Sequence, residues 1–151
     1  MAAPELFTKR EQDFLETLLD EGVEFMVVGL AAAALQGVPA VTQDIDLWFA
    51  HRGDKKMIEA LRKVGVSYIP PSDQNPPLLA GEAADLFDIV VHMHGLGSFE
   101  DERAHAKIVE VGRIKLPVLP LERIVASKEA TGRPKDLAIL PVLKDALRVI
   151  D

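Results

Sequence analysis

At 151 residues the chain has the length of one ordinary domain, and 48% hydrophobic with 27% charged residues is the composition of a folded protein. Cysteine is absent, which excludes disulfides, zinc–thiolate sites and thiol nucleophiles. A net charge of −7 speaks against a dedicated binder of duplex nucleic acid, which needs a basic face.

Met1 to Gln12 carries charge early and lacks the apolar run of a secretory signal. The longest apolar stretch, Phe25 to Leu35, is shorter than the about 20 residues needed to cross a bilayer. The expectation is a cytoplasmic protein without a membrane segment.

Thr8 and Glu11 have capping-box spacing, and Phe14, Leu15, Leu18 and Leu19 follow at helical intervals, predicting a helix over 9–20 that ends at Gly22. Glu24 to Val28 reads as a buried strand. Gly29 follows at once, and the alanine-rich Leu30 to Gln36 suits a short, closely packed helix stopped by Gly37 and Pro39. Val41 to Ala50 alternates polar and apolar residues and predicts a second strand.

Arg52 to Val64 reads as a helix and Val66 to Ile69 as a short strand. Pro70 to Glu82 holds four of the ten prolines and reads as a loop. Asp85 to Met93 is a third strong strand, and Ser98 to Ala106 a short helix. Lys107 to Val111 and Arg113 to Val118 flank Gly112 as a hairpin. Pro120 to Ala130 is a helix closed by Gly132, and Pro134 opens a last helix, kinked or broken at Pro141. No repeat or linker interrupts the pattern, which predicts a single domain over residues 1–151.

The chemistry concentrates around Asp44 and Asp46. Residues two apart on a strand share a face, so the two carboxylates project together while Ile45 and Leu47 enter the core. Adjacent carboxylates repel unless a cation lies between them, and hard ions such as magnesium favour such all-oxygen sites. A solvated edge strand would show the same pair. Asp88 lies between Phe87 and Ile89, opposite to its apolar neighbours, and joins the pair if the third strand lies alongside the second; Asp85, three residues earlier, faces away. A strand running through Gly29 into a helix offers backbone N–H groups to phosphate.

The ordered set of hydrophobic strand, glycine, small helix and Asp-Ile-Asp-Leu resembles the signature of the DNA polymerase β-like nucleotidyltransferases. Within them the chain is most similar to the short bacterial minimal and abortive-infection-type proteins. The resemblance extends to Gly132-Arg133-Pro134-Lys135-Asp136 and covers roughly 24–143. It implies an α/β (α+β) fold with a mixed β-sheet flanked by helices. It also implies magnesium or manganese held by Asp44, Asp46 and Asp88, with those aspartates catalytic. The implied reaction attaches a nucleoside monophosphate, from a nucleoside triphosphate (NTP), to an acceptor hydroxyl on a protein, a small antibiotic or an RNA end. Gly29 and Leu30 would present backbone donors to the phosphates. At the position of Leu30 the family usually has Gly or Ser, and leucine offers no hydroxyl. A second reading is therefore a catalytically lapsed relative acting as a regulatory, antitoxin-like partner of another protein.

Lys128, Arg133 and Lys135 form the densest basic cluster. They suit phosphate binding, or equally a helix end and the surface start of the next helix, where the dipole accounts for Asp136. His92 and His94 share one side of the third strand, the side of Asp88. Trp48 shares the face of Asp46 and is suited either to stacking a base or to partial burial. His51 and His105 have no visible partners.

Overall fold

The computed structural model describes residues 7–40 and 42–150. Residues 1–6, on which half of the signal-sequence expectation rests, and Val41, the expected start of the second strand, lie outside them.

Helix α1 (Lys9–Asp20) begins with the capping box: Glu11 N–H donates to the Thr8 hydroxyl, and Thr8 N–H donates to the Glu11 carboxylate. Strand β1 (Phe25–Val28) is buried throughout and passes directly into α2 (Gly29–Leu35), whose alanines are nearly all fully buried. Then come β2 (Ile45–Phe49), α3 (Lys55–Lys63) capped by Asp54, and the short β3 (Ser67–Ile69) and β4 (Leu78–Ala80). A 3-10 turn at Glu82–Ala84 leads into β5 (Phe87–Val90), followed by α4 (Phe99–Arg103). The hairpin β6 (Lys107–Val111) and β7 (Ile114–Val118) precedes α5 (Leu121–Thr131) and α6 (Pro134–Ile150).

The main sheet has the order β5-β2-β1-β7-β6 and is mixed. β1 runs antiparallel to β2 and parallel to β7; β2 and β5 are parallel; β6 and β7 are antiparallel. Phe14, Leu18, Phe25, Met26, Leu47, Leu61 and Leu116, all at 1% exposure or less, form one continuous core between helices and sheet. Gln36 ties α2 to the β7–α5 junction. Its amide donates to the carbonyls of Ala32 (3.0 Å) and Leu119 (2.9 Å) and accepts from Leu121 N–H (3.1 Å).

Four expectations need correction. The second strand begins only at Ile45, because the Thr42 hydroxyl donates to the Asp44 carbonyl (2.8 Å) and closes a turn there. Asp44 therefore precedes the strand. The proline-rich loop is shorter than its composition suggests: Leu78–Ala80 pairs with Ser67–Ile69 as a small antiparallel ribbon. β5 ends at Val90, so His92 and His94 belong to the following turn. α6 runs unbroken through Pro141, with Leu140 and Leu143 buried on either side.

Candidate functional site

The site lies where β1 hands over to α2 and where β2 and β5 begin. Asp46 is in register with both Val28 of β1 and Asp88 of β5. Residues in register on neighbouring strands project to the same face, so Asp46 and Asp88 stand side by side. Asp44 lies at the entrance of β2, exposed, and close enough to act electrostatically on both. Burial, reinforced by the charge of Asp88, pushes the Asp46 carboxyl above the ordinary carboxylate range. Asp88 is pushed up by burial and by Asp44. Asp85 is exposed at the end of the 3-10 turn, outside this rung.

Gly29 is required by this arrangement. Its φ of +69° is a left-handed conformation, and a Cβ there would lie 2.7 Å from Asp46 Oδ2. The absent side chain is what lets Asp46 lie against the start of α2. Leu30, the next residue, is half-buried, packs against the core and is not part of the cleft wall.

A cleft of about 380 Å³ opens beside Gly29 and Asp46, within the size range of small-molecule sites, and Asp44 and Asp88 lie outside its wall. Its walls include Gly29 and Asp46 on one side and Lys128, Arg133 and Asp136 on the other. Asp136, fully buried, organises that second wall. Its carboxylate accepts from Lys128 Nζ (3.2 Å) and Arg133 Nε (2.7 Å), and from Arg133 Nη2 and backbone N–H (both 3.3 Å). The hydrogen bonds from Arg133 chiefly, with that from Lys128, hold the Asp136 carboxyl down at about 2. The expectation that the helix dipole alone accounts for Asp136 is thus replaced. Lys128, Arg133 and Lys135 all act on the charge of Asp46, although Lys135 is exposed and outside the cleft wall.

His92 and His94 line the same cleft, with ring centroids 4.9 Å apart and planes at 88°. Trp48 is only 5% exposed and meets the edge of Phe99, so it is a core residue and not a stacking platform. His51 and His105 are exposed and lie outside this cleft.

Sequence reasoning missed the role of Asp136. Its signal was the three-residue spacing from Arg133 across a helix start, with Lys128 near the end of the preceding helix. It also missed Glu102, 3% exposed, which takes two hydrogen bonds of 2.8 Å from Arg123.

Among the described residues no three carboxylates or imidazoles converge into a ready-made cage for one ion. The donor set nevertheless fits a hard divalent cation: Asp46 and Asp88 stand side by side with Asp44 near both, Asp46 is pushed up by burial and by Asp88, and Asp88 by burial and by Asp44, a penalty that a cation would relieve.

No family model matches the chain, and no curated protein matches it in sequence. Solved structures do match its fold. ANT(2'')-Ia in complex with adenylyl-2''-tobramycin superposes with a TM-score of 0.62 at 14% identity, covering 93% of this chain and 90% of that one. The solution structure of the same antibiotic-resistance factor gives 0.62 at 15% identity, covering 91% and 82%. A candidate nucleotidyltransferase of Thermotoga maritima gives 0.53 at 21% identity, covering 89% and 90%. With its mixed five-stranded sheet and flanking helices, the chain shares the fold of these nucleotidyltransferase structures.

Proposed function

We propose that the protein is a metal-dependent nucleotidyltransferase that moves a nucleoside monophosphate from an NTP to an acceptor hydroxyl. The observation that carries this reading is the single rung holding Asp46 and Asp88, with Asp44 near it, from which Asp46 reaches a cleft whose opposite wall bears Lys128 and Arg133. A carboxylate cluster opposed by cations suits a ligand that is itself a metal–polyphosphate. One fold neighbour was captured with a nucleotidylated small molecule, adenylyl-2''-tobramycin, which is consistent with this chemistry.

In this reading the acceptor oxygen attacks the α-phosphorus, the bond from that phosphorus to the bridging oxygen breaks, and pyrophosphate leaves. Asp88 is the group that takes the hydroxyl proton. Lys128 and Arg133, fixed by Asp136, neutralise charge on the leaving phosphates. The backbone at Gly29 and Leu30 donates to the triphosphate. Magnesium or manganese, when bound by Asp44, Asp46 and Asp88, supplies charge neutralisation at the triphosphate and lowers the pKa of the acceptor hydroxyl. The alternative of a lapsed, antitoxin-like relative rests on Leu30 standing where the family usually has Gly or Ser; that Leu30 packs against the core and stays out of the cleft wall favours the active reading.

The test is ligand-dependent stability. Each of the four NTPs is added with magnesium to wild type and to Asp46→Asn. A ligand at a hundred times its Kd stabilises a protein by about 2.7 kcal/mol, a clear rise in Tm. The wild type is expected to show it with at least one NTP and the variant to lose it. A wild type unmoved by every NTP would remove the reading.

A further inference from the structure

The cleft continues beyond its charged end. Val90 is opposite Trp48, two rungs from the Asp46–Asp88 pair, or about 7 Å along the sheet. His92, Met93 and His94 follow it and line the same cleft, facing Ile124 of α5. Past Val90, the described residues on the sheet side of the cleft include no carboxylate and no lysine or arginine; what they offer are two imidazoles, a thioether and aliphatic carbon.

The two imidazoles are exposed and meet edge to face at 88°. In that arrangement one ring presents its edge to the face of the other, so each keeps a face that the other does not cover. The turn that carries them is anchored more firmly than an idle surface turn requires. Gly95 has φ +77° and sits so close to α5 that a Cβ would lie 2.5 Å from that of Ala130. Gly97 N–H donates to Glu102 (2.9 Å), and Glu102 is gripped by Arg123 of α5. Phe99 locks its ring against buried Trp48. A wall held this way is preorganised for a ligand.

Resting on the nucleotidyl-transfer reading, we propose that His92 and His94 form the nucleobase subsite, the base stacking on an imidazole face beside Val90, Met93 and Ile124. The phosphates are drawn to the charged end by Lys128, Arg133 and the cation at the aspartates. The base is uncharged and planar, and the ribose spans the distance between the two ends. Histidine is among the side chains on which bases stack, and stacking demands a ring face more than a particular hydrogen-bond pattern.

The experiment compares the tightest-binding NTP with inorganic tripolyphosphate, each with magnesium, by calorimetry. The proteins are wild type, the His92→Ala/His94→Ala pair and the His92→Phe/His94→Phe pair, each first shown to have the wild-type Tm. The alanine pair is expected to weaken NTP binding by about five- to a hundredfold, the contribution of one stacked base, and to leave tripolyphosphate unchanged. The phenylalanine pair is expected to keep the wild-type NTP affinity. The subsite is overturned if the alanine pair binds NTP normally, if it loses both ligands equally, or if phenylalanine fails as alanine does. Wild type binding tripolyphosphate as tightly as any NTP also overturns it, while leaving the charged end in place. If wild type binds neither ligand, the nucleotidyl-transfer reading itself fails and takes the subsite with it.

Discussion

Replacing Asp136 with asparagine removes the charge of a fully buried carboxylate while keeping its size and one of its two accepting oxygens. In the folded protein the carboxyl sits at about 2, against an ordinary 3.8. At 1.36 kcal/mol for each tenfold change in proton affinity, that is about 2 kcal/mol of stability. A depressed carboxyl contributes fully above its unfolded value near 4, and the contribution is lost as pH falls towards 2. Breaking one partner of a buried pair costs about 3–5 kcal/mol when the other charge is stranded. Here Lys128 is 18% exposed and Arg133 56%, so both can recover water. The expected loss at pH 7 is therefore about 2–3 kcal/mol, a fall in Tm of roughly 5–10 °C for a chain of this length. Thermal unfolding of both proteins at pH 7, 5 and 3 measures it. The gap between them should narrow on acidification, because the wild type is then losing what the variant never had. An asparagine variant as stable as wild type at pH 7, or a gap indifferent to pH, would refute the assignment of Asp136 as the charge that holds the wall.

Gly29→Ala forces a side chain into a left-handed position 2.7 Å from Asp46 Oδ2; urea unfolding should show a loss of at least about 1 kcal/mol, and NTP binding should fall with it. Leu30→Ser should cost about 1 kcal/mol, half the value of a fully buried leucine, and leave NTP affinity in magnesium unchanged by calorimetry. A serine variant that binds where wild type does not would revive the lapsed reading. For Asp88 the sign is reversed relative to Asp136. A carboxyl pushed up in the fold opposes folding once ionised, and the penalty sets in as pH rises through its folded value. Asp88→Asn should therefore raise Tm in the presence of a chelator at pH 7 and abolish the further rise produced by magnesium. A variant that melts lower in chelator and still responds to magnesium would contradict the shared-charge description.

Local signals were legible where local chemistry decides the structure. The Thr8–Glu11 box sets the start of α1, and Gly132, in the left-handed conformation, ends α5. Gly112 turns the β6–β7 hairpin. Alternation could not reveal that the Thr42 hydroxyl captures the Asp44 carbonyl and delays β2, because that contact belongs to a turn with the same polar composition as a strand face. Nor could composition reveal β4: Leu78–Ala80 is a strand only because Ser67–Ile69 pairs with it across a proline-rich excursion. Pro141 is tolerated inside α6 because buried Leu140 and Leu143 hold the helix against the core on both sides of the missing N–H.

The site was legible to the extent that it obeys a two-residue period, which aligns Asp46 with Asp88 once β2 and β5 are neighbours. The anchor of the other wall was not, because buried Asp136 is defined by cations that reach it from the end of α5 and from the link between α5 and α6. In the proposed reaction the two sides of the site set the order in which ligands enter. Three carboxylates, Asp44, Asp46 and Asp88, stand against three cations, Lys128, Arg133 and Lys135, and Asp136 cancels one of the cations. The site therefore carries one net negative charge on its own, and a free polyphosphate meets repulsion from the aspartate side. One divalent cation among the aspartates reverses that sign and offsets the burial and the neighbouring carboxylates that push Asp46 and Asp88 up. Burial of Asp136 thus does two things at once. It fixes two cations against the cleft, and under the proposed function it withholds enough of their charge that a polyphosphate is attracted only together with a metal.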